Sequence, residues 1–393
     1  MNLPEIWKST LESRVTACQE AGLFRSVRVI EERRGAHVQV NGHAFLNFSS
    51  NDYLGLATDV RLVEAAKKEL LQNGVGSGAA HLVTGHSKSH QALEEELADF
   101  LGCEKALIFS TGYMANLGVL SSLAGRHSRI YQDRLNHASL LDGARLSGAK
   151  LIRYAHRGLP EISKESDGAS LIVSDGVFSM DGDLAEVPEL ADLARRSGAL
   201  LVIDDAHGIG VLGHGGRGVL EFFNLDSGDV PVLIGTLGKA FGTFGAFVAG
   251  SDLLVRYLIQ KARTYIYTTA IPAALAEASR AALRIVREES WRRAYLQDLI
   301  KYFRSGVSQI GIPLLPSHSP IQPLVVGGAE TATRLSKRLQ EQGILLAAIR
   351  PPTVPEGTAR LRCTLSAAHT HADLDRMLDA LNLLREDFFE TIP

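Results

Sequence analysis

Short apolar runs alternate with helical segments between about residue 60 and residue 250, and this alternation constrains the fold more than any other feature of the sequence. Helical stretches such as VPELADLARRSG separate several of the runs. Parallel strands need crossover connections, and strands buried on both faces are nearly continuous in Val, Ile and Leu. The pattern therefore predicts an α/β fold whose large, mostly parallel sheet has helices on both faces. The runs that would form its strands are KALIFS, SRIYQD, KLIRYA, SLIVSDG, ALLVIDD, VLIGTL and GAFVAG.

The sequence patterns before and after this region differ from it, so the chain is predicted to have three segments. Residues 1–50 contain a helical stretch over 4–20 and short alternating strands around the turn Asn41-Gly42. Residues 51–285 hold the large sheet domain. Residues 286–393 form a smaller α+β domain with the strands PLVVG, ILLAAI and ARLRCTLS. The helical region that begins near residue 273 is long enough for two helices.

Composition narrows the classes of partner. The 393 residues carry a net charge of −3, which gives no electrostatic reason to expect nucleic acid or an anionic membrane. The N-terminus, MNLPEIWKSTLESRV, lacks the apolar core of a secretory signal, and no apolar stretch approaches the roughly 20 residues that span a bilayer. Cys18, Cys103 and Cys363 are far apart and show no metal-binding spacing, so no metal is expected. We expect a cytoplasmic protein.

Polar residues follow four of the apolar runs at the points where the strands would end. In open α/β sheets, ligands bind beyond the carboxyl ends of the strands. We therefore expect these groups to surround one site. The groups are Ser110-Thr111-Gly112-Tyr113, Ser174-Asp175, Asp204-Asp205-Ala206-His207 and Thr236-Leu237-Gly238-Lys239.

Each of these groups also has an ordinary interpretation when it is taken alone. Ser110-Thr111-Gly112 is either a helix cap or a phosphate site at a helix N-terminus. Asp204 either accepts from a loop amide or pairs with a protonated ring nitrogen of a ligand. Lys239 is either a solvated turn residue or a semi-buried amine that forms Schiff bases. Taken together, they match what pyridoxal phosphate (PLP) requires: a phosphate anchor, a pyridinium partner, a hydrogen bond to the phenolic oxygen and a lysine.

Three segments carry a resemblance to a known family: DDAHGIGVLGHGGRG, TLGKAFGTFGAF and DRLNHASLLDGARLSGA. They closely resemble the α-oxoamine synthase family of fold-type-I PLP-dependent enzymes. The resemblance extends from NFSSNDYLGLA at 47–57 to RLRCTLSAAHT at 360–370. Within the family, AIRPPTVPEGTARLR at 348–362 is most similar to the members that act in biotin biosynthesis.

The resemblance implies a set of cofactor contacts. Lys239 would bind PLP covalently and later act as a base on the substrate α-carbon, and Asp204 would pair with the pyridine nitrogen. His207 would hydrogen-bond the phenolic oxygen, as would Ser179. The remaining implied contacts are ring stacking by His137 and Ala206, the phosphate and ring edge at Gly112, Tyr113 and Thr236, and the phosphate of a neighbouring subunit at Thr269.

The resemblance also implies the substrates and the assembly. Asn51 and Arg362 would hold the carboxylate of L-alanine. Thr353 and Arg25 would meet a pimeloyl thioester, with His137 beside both substrates. The implied reaction is a decarboxylative condensation that releases CO₂ and a free thiol, with either coenzyme A or an acyl-carrier protein as carrier. The implied assembly is a homodimer with its active site at the interface.

Two alternatives are left open by the sequence. Sister enzymes of the family, which join glycine to acetyl-CoA or succinyl-CoA, or serine to a fatty acyl-CoA, share the same catalytic residues. A nicotinamide oxidoreductase is the more distant alternative, because GHGGRG at 213–218 is a literal GxGxxG. That motif does not directly follow a predicted strand, which the dinucleotide-binding fingerprint requires.

One residue of the site departs from the family pattern. Tyr113 stands where family members commonly have Phe.

Overall fold

The seven apolar runs form the seven strands of one sheet, as the sequence predicts. The structure is a computed structural model that describes residues 3–162 and 169–389. In chain order, its strands within these residues are β1 (Glu32–Arg34), β2 (His37–Val40), β3 (His43–Asn47), β4 (Lys105–Phe109), β5 (Arg129–Asp133), β6 (Lys150–Tyr154), β7 (Ser170–Asp175), β8 (Leu200–Asp204), β9 (Val232–Thr236), β10 (Ala246–Gly250), β11 (Ile321–Gly327), β12 (Ile344–Leu345), β13 (Ala347–Ile349) and β14 (Ala359–Thr364).

Helices connect these strands, and the long region near residue 273 divides into two helices as predicted. Among the described residues, none of the helices combines the length and hydropathy needed to cross a membrane. The α-helices are α1 (Glu5–Glu20), α2 (Val60–Asn73), α3 (Lys88–Leu101), α4 (Gly112–Leu123), α5 (Ala138–Ser147), α6 (Val187–Ser197), α7 (Val219–Phe222), α8 (Asp252–Lys261), α9 (Arg263–Ile266), α10 (Ala273–Glu288), α11 (Ser290–Ile310), α12 (Ala329–Glu341), α13 (His371–Leu383) and α14 (Arg385–Phe389), with one π-helical turn at His81–Gly85.

The central sheet has the order β4-β10-β9-β8-β7-β5-β6. Its strands are parallel except β10, which is antiparallel to both β4 and β9. Every residue of β9 and β10 is buried, which explains why their sequences are uninterrupted apolar runs. The α/β prediction with a mostly parallel sheet is therefore confirmed.

The register of the parallel strands brings the polar strand ends together. Asp175 at the end of β7 is paired with Asp204 at the end of β8, and Asp204 is in turn paired with Ile234 of β9. The chain leaves β9 at Thr236 and reaches Lys239 in the following turn. Asp175, Asp204 and Lys239 thus lie at the same edge of the central sheet, at the carboxyl ends of three neighbouring strands.

Two smaller sheets lie outside the central one. The order β1-β2-β3-β12 includes a parallel pairing between β3 and β12, which joins the N-terminal segment to the C-terminal part of the chain. The order β11-β14-β13 is antiparallel and contains Arg362 in its central strand. The predicted boundaries at residues 50 and 285 stay a prediction. The α1 helix is present as expected, with its apolar residues exposed in this chain.

His156, just after β6, links two loops at the edge of the central sheet. Its Nδ1 lies 3.1 Å from Asp133 Oδ1 at the end of β5, and its Nε2 lies 2.8 Å from Asp183 Oδ2 in the loop after β7. Burial opposes the charged imidazolium, but the hydrogen bonds that the imidazolium donates to both carboxylates outweigh burial and raise the pKa of His156 to about 9. The pair of loops that His156 connects carries His137 and Ser179.

We expect His156→Gln to destabilise the protein in a pH-dependent way. An unfolded histidine has a pKa near 6.5, so the contribution of His156 is complete below about pH 6 and disappears as the pH rises through 9. The free energy of unfolding, measured by urea denaturation, should fall by roughly 2–3 kcal/mol at pH 6 and by little at pH 10. His127→Gln, at an exposed position, is the control. A deficit of equal size at both pH values would contradict this account.

Candidate active site

An inner cavity of about 200 Å³ lies at the carboxyl ends of β7, β8 and β9, beside the first turns of α4 and α5. The nine residues that were expected to bind the cofactor from a single chain all line it. Its walls are formed by Gly112, Tyr113, Asn116, His137, Ser139, Asp175, Ser179, Asp204, Ala206, His207, Thr236 and Lys239. Asp175 was expected at this site as the end of a strand, whereas Asn116 and Ser139 are lining residues that the sequence does not indicate.

Lys239 contributes a primary amine to the inner cavity. Its Nζ lies 2.8 Å from Nε2 of His207. Burial lowers the pKa of Lys239 to about 8, although the nearby Asp204 and Asp175 carboxyl groups act in the opposite direction. At pH 7 this shift raises the neutral, nucleophilic fraction of the amine by roughly two orders of magnitude. The residue is therefore suited to covalent chemistry.

His207 is a buried, neutral imidazole. Burial, followed by the charges of Lys239 and Arg362, holds the pKa of His207 well below its usual range. Its Nδ1 lies 2.6 Å from the hydroxyl of Tyr53, and its Nε2 faces Lys239. A neutral imidazole has one donor nitrogen and one acceptor nitrogen. Of Tyr53 and Lys239, one therefore accepts a hydrogen bond from His207 and the other donates one to it.

Asp204 is held from two sides at the end of β8. Its Oδ1 accepts from the backbone N–H of Ala206 at 3.0 Å, and its Oδ2 accepts from Nδ2 of Asn116 at 2.6 Å. On the adjacent strand, burial and then the charge of Asp204 raise the pKa of Asp175 well above its usual range. Burial thus favours the protonated form of Asp175.

A side-chain network joins Asp204 to His137, the residue before α5. Nδ2 of Asn116 donates to Ser139 Oγ at 2.8 Å, and that hydroxyl lies 2.7 Å from His137 Nδ1. Asp175 Oδ2 accepts from the backbone N–H of His137 at 2.9 Å. Asn116 is the fifth residue of α4, and only the packing of this helix against the strand ends brings its side chain to the site.

Arg362 and Asn51 meet beside Ser179, as expected for a carboxylate site. Arg362 Nε donates to the carbonyl oxygen of Ser179 at 2.6 Å. Its two terminal nitrogens lie 3.2 and 3.3 Å from Asn51 Oδ1. The guanidinium reaches this point from β14, so the small antiparallel sheet contributes directly to the site of the large one.

An outer cavity of about 650 Å³ shares His137 and Ser179 with the inner one. Thr353, one of the expected acyl-substrate residues, lines it. Most of its other walls are apolar, and two arginines and two acidic residues, Asp181 and Glu356, also line it. These further lining residues include Leu135, Leu141, Phe178, Met180, Val354, Arg134 and Arg153.

Some expected residues are placed differently. Arg25 and Thr269 are exposed and line neither cavity, and Thr269 forms a backbone bridge with Ala80. Thr236 lines the inner cavity, but its hydroxyl donates to the carbonyl oxygen of Gly245 at 3.0 Å. The hydroxyl of Tyr113 donates to Asp142 on α5.

The GxGxxG motif at 213–218 does not form a dinucleotide site. It precedes α7, a helix of four residues, rather than joining a sheet strand to a long helix. The backbone N–H groups of Gly215 and Arg217 donate to the carboxylate of Glu221 at 2.9–3.0 Å. An acidic side chain thus occupies the position where a pyrophosphate would bind, which argues against the oxidoreductase alternative.

The inner cavity fits PLP in the chemistry of its walls. The first backbone N–H groups of α4 have no partner within the helix, and no heavy atom lies within 4 Å of where a Cβ on Gly112 would be. An anion can therefore approach this helix N-terminus closely. A carboxylate at Asp204, a neutral imidazole at His207 and the amine of Lys239 supply the other groups that the cofactor requires.

Comparisons with known proteins agree with this arrangement. Residues 44–381 match the family described as aminotransferase class I and II. The 8-amino-7-oxononanoate synthase of Thioalkalivibrio sulfidiphilus is 55% identical over 380 residues, covering 95% of this chain and 96% of the relative. A solved 8-amino-7-oxononanoate synthase from Francisella tularensis is 33% identical with a TM-score of 0.77, covering 87% of this chain and 98% of that one.

A third relative is a variant of the serine palmitoyltransferase from S. paucimobilis, solved with bound PLP–myriocin. It is 28% identical with a TM-score of 0.91, covering 98% of this chain and 99% of that chain. The fold is thus the fold-type-I fold of PLP-dependent enzymes, and PLP is the cofactor. The chain belongs to the 8-amino-7-oxononanoate synthase family.

Proposed function

We propose that the protein condenses L-alanine with a pimeloyl thioester to give 8-amino-7-oxononanoate, CO₂ and the free thiol, a step of biotin biosynthesis. The observation that carries this proposal is the pair of adjoining cavities. The inner one contains Lys239 and Asp204, and the outer one reaches Thr353 through the shared residues His137 and Ser179. The arrangement offers one compartment for the amino acid and a second for the acyl chain.

When bound, PLP supplies an electrophilic carbon for amines and a ring that delocalises the negative charge of the substrate α-carbon. The carboxylate of Asp204 would pair with the ring nitrogen and favour its protonated form. The N-terminus of α4 at Gly112 would bind the phosphate. His207 and Ser179 would hydrogen-bond the phenolic oxygen, and His137 would stack on the ring.

Lys239 holds the cofactor and then moves a proton. Its amine, with a pKa near 8, accepts the α-proton of alanine and later returns a proton to the product carbon. Arg362 and Asn51 orient the carboxylate until it leaves as CO₂, with the guanidinium fork as the bidentate partner. The α-carbon forms a bond to the acyl carbon as the acyl C–S bond breaks, and the departing thiolate takes a proton from solvent.

The outer cavity suits an acyl chain on a phosphate-bearing carrier. Its apolar walls match methylene groups, and Arg134 and Arg153 supply positive charge for anionic ends. Thr353 binds near the thioester, and Arg25 contacts the same substrate. Coenzyme A and an acyl-carrier protein present the same phosphorylated arm, so both fit this proposal.

We also propose a cytoplasmic homodimer whose interface includes the active site. Thr269 is exposed outside both cavities, which suits a residue that binds the cofactor phosphate of a neighbouring subunit. The large side chains of Val75, Val83 and Tyr267 are exposed as well. The cysteines, among the described residues, are free thiols, as is usual in a reducing cytosol.

Thiol release by the PLP-loaded protein tests the proposed reaction. The assay crosses L-alanine, glycine and L-serine with pimeloyl-CoA, pimeloyl-acyl-carrier protein, acetyl-CoA and succinyl-CoA. We expect release only with L-alanine and a pimeloyl donor, because the apolar outer cavity matches the longer chain. Release that requires glycine and a short acyl-CoA would assign the protein to a sister activity instead.

Asp204→Asn should weaken cofactor binding and slow proton abstraction. A neutral amide does not hold the ring nitrogen protonated, so we expect the Kd for PLP to rise at least about tenfold and alanine α-proton exchange to slow by roughly 10²-fold or more. Both are measurable, by equilibrium dialysis and by exchange of the α-hydrogen in D₂O. Asp379→Asn, on the exposed face of α13, is the matched control. Wild-type behaviour of Asp204→Asn would refute the pyridinium role.

A further inference from the structure

Tyr53 is a fully buried tyrosine whose hydroxyl lies between the two halves of the active site. The residue follows β3, in the loop that also contains Asn51. Its Oη is 2.6 Å from His207 Nδ1 and 3.1 Å from Asn51 Oδ1. His207 belongs to the cofactor side of the site, and Asn51 belongs to the carboxylate side. One hydroxyl therefore touches a residue of each side.

The hydroxyl has one hydrogen for these two acceptors. If Tyr53 donates to Asn51, then Nδ1 of His207 must carry a hydrogen and donate to the phenol oxygen. If Tyr53 donates to His207, then Nδ1 is bare and Nε2 carries the hydrogen. The direction in which the Tyr53 hydroxyl donates thus determines which nitrogen of His207 carries the hydrogen.

The state of Lys239 selects between these two arrangements. A charged Lys239 amine donates to Nε2 of His207 across 2.8 Å, so the hydrogen of the imidazole is then on Nδ1 and Tyr53 turns to Asn51. Once Lys239 no longer donates, Nε2 can carry the hydrogen and Tyr53 turns to His207. Arg362 acts on Tyr53 through its charge and through a side-chain hydrogen bond, and the charges of Arg362 and His137 also act on His207.

We propose that Tyr53 is a positioning residue that couples the cofactor side of the site to the carboxylate side through its single hydroxyl hydrogen. This inference rests on the proposed function. When Tyr53 donates to His207, Nε2–H would be available to donate to the phenolic oxygen of the cofactor. Asn51 Oδ1, released from Tyr53, then remains with the guanidinium of Arg362, whose terminal nitrogens are 3.2 and 3.3 Å away. Cofactor binding thus leaves Asn51 and Arg362 together at the place where the amino-acid carboxylate binds.

Tyr53→Phe in the PLP-loaded protein tests the proposal, because it removes the hydroxyl and keeps the ring. We expect the pH midpoint of the visible cofactor absorbance to rise by about one unit, which corresponds to the loss of a hydrogen bond to an anionic oxygen. The KM for L-alanine should rise about tenfold while the KM for pimeloyl-CoA stays within about twofold. Tyr131→Phe, a tyrosine of β5 that is equally buried and lines neither cavity, is the control.

Asn51→Leu supplies an independent arm that does not depend on the folding of Tyr53→Phe. Without Asn51 Oδ1, the hydrogen of Tyr53 goes to His207 alone. The absorbance midpoint should therefore shift downward, by about 0.5 unit, while the KM for L-alanine rises. A purely structural role of Tyr53 would lower the thermal midpoint of unfolding without shifts of opposite sign in the two variants.

The outcomes separate this inference from the proposed function. If wild-type protein releases thiol with L-alanine and pimeloyl-CoA and both variants keep the wild-type absorbance midpoint, the coupling role is overturned. If wild-type protein does not use these substrates at all, the proposed function fails, and the absorbance midpoints of the three proteins still test the hydrogen-bond arrangement. Shifts of the absorbance midpoint in opposite directions in Tyr53→Phe and Asn51→Leu support the coupling role of Tyr53.

Discussion

The register of β7, β8 and β9 is the constraint on which the site depends. Pairing of Asp175 with Asp204, and of Asp204 with Ile234, leaves two carboxyl groups and the turn of Lys239 at one edge of the sheet. A slip of one residue would turn every side chain of a strand to the opposite face. Because the same strands are buried on both faces, the packing of the core and the geometry of the chemistry are fixed together.

Burial at this edge of the sheet shifts the pKa values of three ionisable side chains of the site. It lowers the pKa of Lys239 and of His207 and raises that of Asp175, so each of these groups moves toward its neutral form. Asp204 is stabilised instead by donors from Ala206 and Asn116. The site thus combines a hydrogen-bonded carboxyl group with a lysine that is readily deprotonated, and a readily deprotonated lysine is what Schiff-base chemistry and proton abstraction both need.

Sequence reasoning found the residues that end strands and missed those that only tertiary packing brings to the site. Asp204 and Lys239 follow apolar runs, so their shared edge could be predicted from the parallel sheet. Asn116 is inside a helix, and Tyr53 is in a loop far along the chain from the strands it contacts, so neither carries a local signal. Thr269 and Arg25 lie outside both cavities, and their proposed roles depend on substrates or a second subunit that one chain does not supply.

The pH dependence of PLP capture by the cofactor-free protein tests the central claim most directly. The neutral Lys239 amine is the species that reacts, so the capture rate, followed by visible absorbance, should rise with pH along a titration curve centred near 8. Lys239→Ala should show no such capture, while Lys261→Ala, at an exposed position of α8, should match the wild type. A curve centred near 10.5, the ordinary value for lysine, would show that the site does not tune this amine.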